Sequence, residues 1–218
     1  MLLTVRDLAV SRGGLIALSK VSFALAPGRT LVLRGANGIG KTTLLRTIAG
    51  LQPAAAGQIE AASESIAYAS HADGVKLALS VSANLSFWSA IFGTGKAATA
   101  EAMQRMNLTS LADRPAARLS AGQKRRLGLA RMLVTGRPVW LLDEPTVSLD
   151  QESVALFADV LRDHLGAGGA ALIATHIDLG LPEAAILDLT PYRTAPHQMA
   201  TPGFDDAFGD AFSDGASR

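Results

Sequence analysis

Cysteine is absent from the 218 residues, which excludes disulfides, thiolate metal centres and cysteine nucleophiles and suits a reducing compartment. Neither sign of charge dominates: 20 Lys and Arg stand against 19 Asp and Glu, a net charge of +1. No global field is available to recruit nucleic acid or an anionic membrane, so any such contact must be local. No apolar run reaches the roughly 18 residues that a membrane span needs, and Met1-Leu2-Leu3-Thr4-Val5-Arg6-Asp7 meets charge too early for a secretory signal. Internal repeats, heptad runs and a basic stripe are also missing. What remains is a soluble chain, 49% hydrophobic, large enough for a sizeable core, with any membrane role arriving through a partner.

What is present centres on Gly35-Ala36-Asn37-Gly38-Ile39-Gly40-Lys41-Thr42-Thr43. Gly35, Gly40, Lys41 and Thr42 satisfy G-x-x-x-x-G-K-[ST]. The apolar run Thr30-Leu31-Val32-Leu33 precedes the loop and a helix-like stretch from Thr42 to Ile48 follows, the strand-loop-helix setting of a phosphate cradle. Glycines let successive backbone N–H groups curl around phosphate oxygens, and the helix start adds partial positive charge. Lys41 is expected to reach the β- and γ-phosphates of ATP, and the Thr42 hydroxyl to ligate Mg²⁺. The bland alternative is a glycine turn that merely precedes a helix.

Along the chain, Leu2–Val5 and Val21–Leu25 alternate apolar with polar or small residues and predict an antiparallel sheet before the loop. Two further strands are expected at Gly57–Glu60 and Ser65–Ala69. Helix-like segments, Val81–Trp88 and Ala97–Met106, then predict a helical subdomain at about residues 80–125, inserted into an α/β core. A helix from Gly122 to Val134, a strand Val139–Leu142, a helix Gln151–His164 and strands Ala170–Ala174 and Ala185–Leu187 complete the order. Strands apolar throughout and alternating with helices imply a mainly parallel sheet covered on both faces. Residues 1–193 read as one domain, and 194–218, rich in Pro, Gly, Asp and Ser, as a poorly ordered acidic tail. Within that tail Phe204, Phe208 and Phe212 recur at every fourth residue, the spacing of an amphipathic helix.

Val139-Trp140-Leu141-Leu142-Asp143-Glu144 is an apolar strand ending in two carboxylates. Such a strand is expected beside the phosphate-loop strand, where Asp143 would hold Mg²⁺ opposite Thr42 and Glu144 would polarise an attacking water as general base. Leu119-Ser120-Ala121-Gly122-Gln123 precedes a helix, with Ser120 a natural N-cap. With that run upstream of Asp143 and Glu144, the chain from Leu2 to about Leu189 resembles the ATP-binding-cassette ATPases. Ala121 stands where the commoner signature has glycine. Glu144-Pro145-Thr146, Ser148-Leu149-Asp150 and His176 match in the family's order.

The resemblance implies a P-loop ATPase that dimerises head to tail with a second copy of itself. Ser120, Gly122 and Gln123 would then serve the nucleotide held by the other copy's loop, and His176 would sense the γ-phosphate. The aromatic that usually stacks on adenine is replaced by Arg12, whose plane can still stack on a base. The glutamine expected after Ile66-Ala67-Tyr68-Ala69-Ser70 is His71.

Arg12-Gly13-Gly14, Tyr68 to His71, Asp73-Gly74-Val75-Lys76, Asn84-Leu85-Ser86-Phe87-Trp88 and the run from Leu119 to Arg126 resemble the branch of cytochrome c biogenesis ATP-binding export proteins. That branch implies peripheral attachment at the cytoplasmic face of a bacterial inner membrane, integral membrane partner subunits, and a cycle serving haem export. Nothing here looks like a haem pocket: cysteine is lacking, and His71, His164, His176 and His197 have other or no evident roles. The alternatives are a different small exporter cassette, a non-transport cassette ATPase acting on ribosomes or DNA, and a nucleotide-switched docking protein. The single cassette without a coiled-coil insertion opposes the second of these, and the set Asp143, Glu144 and His176 opposes the third.

Overall fold

The computed structural model describes residues 1–177, 179–181 and 183–194. The tail phenylalanines and His197 lie outside them.

Three strands form an antiparallel sheet: β1 (Leu3–Arg12), β2 (Leu15–Leu25) and β4 (Ala56–Ala61), in the order β2-β1-β4. The alternation predicted for β1 and β2 is real, with Leu3, Val5, Leu8 and Val10 facing inward beside Leu18, Val21 and Leu25. Both strands run longer than the sequence pattern indicated. Register shifts follow Val5 and Leu8, and Asp7 takes a positive φ of 47°. Each bulge resets the alternation and hides the strand's continuation from a period-two reading. The third strand, β4, comes from beyond the glycine loop, so this sheet does not wholly precede it.

The second sheet is parallel, in the order β5 (Ile66–Ala69), β6 (Val139–Asp143), β7 (Ala170–Ala174), β3 (Thr30–Arg34) and β8 (Ala185–Asp188). One expectation is corrected here. The strand that carries Asp143 does not lie beside the phosphate-loop strand, because β7 pairs with both β6 and β3 and separates them. Two inter-strand spacings, about 10 Å, therefore lie between the Asp143 strand and the loop strand.

Every residue of β6 and β7 is buried, yet successive side chains enter different cores. Val139 and Leu141, with Ala170, Leu172 and Ala174, meet Leu44, Leu45 and Ile48 of α1 (Lys41–Ile48) and, beyond it, the antiparallel sheet. Trp140 and Leu142, with Ala171 and Ile173, meet the helices of the other face. Those are α2 (Val81–Phe92), α3 (Gly95–Arg105), α4 (Ala121–Val134) and α5 (Gln151–Gly166). Helix α1 is thus clamped between two sheets, and each fully buried leucine on it contributes about 2 kcal/mol.

Capping sets the helix starts. Asp150 accepts from the Ser153 N–H at 2.8 Å to begin α5. Ser120 accepts from the Gln123 N–H, and the Gln123 side chain returns a bond to the Ser120 N–H, a complete capping box at α4. Helices α2, α3 and α4 pack on one another as a unit at one side of the parallel sheet.

His164 on α5 stacks on Trp140, with ring centroids 3.8 Å apart, and its Nε2 lies 3.1 Å from the Pro138 carbonyl. Burial holds its pKa below the ordinary 6.5, against the carbonyl contacts that favour the proton. The folded state therefore resists a proton that the unfolded chain accepts. This stability contribution is full above 6.5 and is lost as pH falls through that value toward the lower folded one. Urea melts between about pH 7.5 and 5.5 should show a steeper acid loss in the wild type than in His164→Gln. Equal slopes would remove His164 as a source of acid sensitivity.

Candidate nucleotide site

The site lies at the C-terminal ends of β3, β6 and β7, the side of a parallel sheet where ligands settle. The chain leaves β3 at Arg34, forms the loop 35–40 and enters α1 through Gly40, whose φ of 120° is a conformation that side-chain-bearing residues rarely adopt. No side chain caps α1, so the amides of its first turn stay available to an anion. Ile39 is buried in the core and anchors the loop, while Ala36, Asn37 and Gly38 are exposed. Thr42 is exposed at the second helical position, and Thr43 is buried behind it.

Lys41 folds back inside the loop and is 8% exposed. Its ammonium donates to the carbonyls of Gly35 at 2.8 Å and Ala36 at 3.3 Å, and lies 3.1 Å from His176 Nε2. Three acceptors match its three protons. Burial, with Arg34 nearby, lowers its pKa below 10.5, and Glu144 and Asp143 partly oppose that.

His176 Nε2 also lies 3.6 Å from Glu144 Oε1. The predicted residues Lys41, His176 and Glu144 therefore form one line of contacts. The inserted strand explains it: β7 ends between β3 and β6 and delivers His176 between the loop and the carboxylates. The Arg34 guanidinium donates to the Thr175 carbonyl at 2.6 Å and fastens the turn that carries the histidine. Asp143 is 2% exposed at the end of β6. The Tyr68 hydroxyl, from β5, stands 3.5 Å from its Oδ2. Burial first, and the Asp143 charge second, push the Tyr68 phenol up to about 12, so it stays a hydrogen-bond donor.

Other predicted residues stand apart. Ser120, Gly122 and Gln123 start α4, where Gly122 packs against the Ser148 carbonyl. Among the described residues no hydrogen bond joins them to 35–43. Arg12 is exposed at the β1–β2 hairpin, and Ala17 and Leu18 of the same hairpin lie against Gly40. The His71 ring is exposed, and the residue takes part through its carbonyl, which accepts from Arg125 at 3.2 Å.

Sequence reasoning missed Tyr68, Arg34 and Arg125. For Arg125 a signal existed, since a cation on the core-facing side of an amphipathic helix must find buried acceptors.

The ABC transporter family model matches residues 18–147. The "Cytochrome c biogenesis ATP-binding export protein CcmA" of Paracoccus denitrificans is 67% identical over 95% of this chain and 99% of its own length. The protein of the same description from Cereibacter sphaeroides is 65% identical over 94% and 97%. The chain belongs to the ABC transporter family, among its cytochrome c biogenesis ATP-binding export proteins. Solved folds agree. An ABC transporter ATP-binding protein from Pyrococcus furiosus superposes with a TM-score of 0.78 at 25% identity, covering 88% of this chain and 99% of that one. CbiO1 from Clostridium perfringens, described as part of the ABC transporter complex cbiONQ, gives 0.73 at 25% identity, covering 86% and 84%. As an ABC ATPase the chain binds and hydrolyses ATP, and the open helix start beside a buried lysine fits that ligand. No described helix is long and apolar enough to cross a membrane.

A buried cation at a binding site costs stability that its ligand returns. Lys41→Ala should lower ATP affinity at least about tenfold, a change of 1.4 kcal/mol, while leaving the denaturation midpoint unchanged or raised. Fluorescent-nucleotide titration and a urea melt measure the two. Full affinity with lost stability would make Lys41 a structural residue.

Proposed function

We propose that this chain is the ATP-hydrolysing subunit of an export complex for cytochrome c biogenesis, attached at the cytoplasmic face of a bacterial inner membrane through integral membrane partners. Haem, moved or released for periplasmic apocytochrome maturation, is the proposed cargo. The observation that carries the enzymatic part is the contact line Lys41, His176, Glu144 at the mouth of an uncapped helix.

In the proposed cycle the residues 35–43 cradle the phosphates through backbone amides, and Lys41 exchanges the Gly35 and Ala36 carbonyls for β- and γ-phosphate oxygens. Arg12 stacks on the base. The exposed Thr42 hydroxyl and the Asp143 carboxylate are the oxygen donors that would hold Mg²⁺, which would supply positive charge against the phosphates. Glu144 accepts a proton from water, and His176, already within reach of both Glu144 and Lys41, holds the γ-phosphate end of the line. Ser120, Gly122 and Gln123 have no phosphate loop of their own to serve. They donate instead to the nucleotide of a second copy, making a head-to-tail sandwich of two half-sites.

Partner docking finds support on another face. A cleft of about 330 Å³ opens between the end of α1, β5 and the α2–α4 unit, lined by Leu51, Tyr68, Trp88, Phe92, Arg131 and Arg137. Arg131 lies over Trp88 and Arg137 over Phe92, at 5.0 and 4.8 Å. Leu51 in its lining, and Phe87 and Ile91 on the same helix as Trp88, are exposed, apolar surface suited to a short segment of a membrane subunit. His71 follows β5, whose Tyr68 lines this cleft, and its carbonyl shares Arg125 with the carbonyls of Asp143 and Glu144, a place where nucleotide state and docking would be linked.

Purification of Glu144→Gln from detergent-solubilised membranes with ATP tests the reading as a whole. The variant should lose at least about a hundredfold in turnover, dimerise with ATP, and bring integral membrane subunits with it. An undiminished rate would remove Glu144 as the base, and recovery alone in the soluble fraction would count against the transport assignment.

A further inference from the structure

Arg125 lies on the inner side of α4 and is 3% exposed. A buried guanidinium has five donors and remains tolerable only when they find acceptors. Here they find backbone on two separate segments. Toward β6, Nε donates to the Pro145 carbonyl at 2.8 Å, and Nη2 donates to the carbonyls of Glu144 at 2.7 Å and Asp143 at 3.3 Å. Toward β5, Nη1 donates to the carbonyls of Ser70 at 2.9 Å and His71 at 3.2 Å, and pairs with Asp73 at 3.2 Å.

The middle of the first group is the strained one. Glu144 has φ 47°, in the left-handed region, which a residue with a side chain keeps only where its surroundings over-determine it. Two backbone bonds do so: its N–H donates to the Ala174 carbonyl at 2.7 Å, and its carbonyl accepts from Arg125. Fixing both ends of the residue fixes its Cα–Cβ direction, and with it the approach of the carboxylate to His176.

We propose that Arg125 is a positioning residue for ATP hydrolysis. It clamps three consecutive carbonyls so that Glu144 holds the left-handed conformation that aims its carboxylate at the reacting water, and it ties that aim to the loop 70–73 after β5. The inference rests on the reading of Glu144 as general base. It also explains why arginine stands here. A lysine carries one nitrogen and cannot span two backbone segments, whereas the planar fork reaches both.

Steady-state ATPase kinetics of the full chain test it, with wild type, Arg125→Lys, Arg125→Gln, Glu144→Gln and the double variant R125K/E144Q compared per folded molecule by calorimetry. Arg125→Gln places no charge in the buried site and secures a folded variant if the lysine form is unstable. Both single Arg125 variants should lose at least about tenfold in kcat with KM for ATP within about threefold. The double variant should be no slower than Glu144→Gln alone, because both changes act through one carboxylate. A folded Arg125 variant with wild-type kcat, or with the whole loss in KM, overturns the proposal while leaving an inactive Glu144→Gln intact. Wild-type turnover in Glu144→Gln overturns both this proposal and the reading beneath it.

Discussion

A buried ammonium is the constraint on which the site depends. Lys41 must be out of water to lie inside its loop, so all three of its protons need acceptors, and Gly35, Ala36 and His176 supply them. The first two fix the curl of the loop. The third requires that a strand end deliver a histidine at the right height, and the sheet order β6-β7-β3 does this. The same order places Glu144 on the far side of that histidine. A phosphate group entering the cradle meets a cation whose present partners are weak dipoles, so the exchange favours the ligand.

Structure around the cradle is rigid for ordinary reasons. Helix α1 carries the loop's far end and is wedged between two sheets by Leu44, Leu45 and Ile48. Strands β6 and β7 are buried on both faces, so neither can slip by one residue without driving every side chain into the opposite core. The α2–α4 unit is joined to this body in part through Arg125, which bonds α4 to both the β5 loop and the end of β6. Reorganisation of that unit must therefore be felt at Glu144.

Much of this was legible in the sequence. The loop and the two carboxylates carry spacing that local chemistry dictates, the histidine was reached through the family resemblance, and Ser120, read as an N-cap, announced the start of α4. Strand order was not legible. It depends on which apolar run pairs with which, and β6 and β7 are equally apolar, so the expected adjacency of β6 and β3 failed. The extent of β1 and β2 was hidden by bulges at Asp7 and its neighbours, where two residues stand against one and the alternation breaks. Tyr68 went unseen because its role is made by a tertiary contact with Asp143, which no local motif encodes. Arg125 did show as a cation on the core-facing side of α4, but the carbonyls it meets are set by the tertiary fold.

On the proposed reading the loop is half of a site, and its complement, Ser120 and Gly122, makes no hydrogen bond to it within the same chain among the described residues. Hydrolysis should then depend on two copies meeting, while binding needs only one. Specific ATPase activity measured against protein concentration tests this most directly, with nucleotide binding followed in the same samples. The account predicts an activity per molecule that rises with concentration to a plateau while ATP affinity stays level. Activity per molecule independent of concentration, in a chain shown to be monomeric throughout, would contradict it.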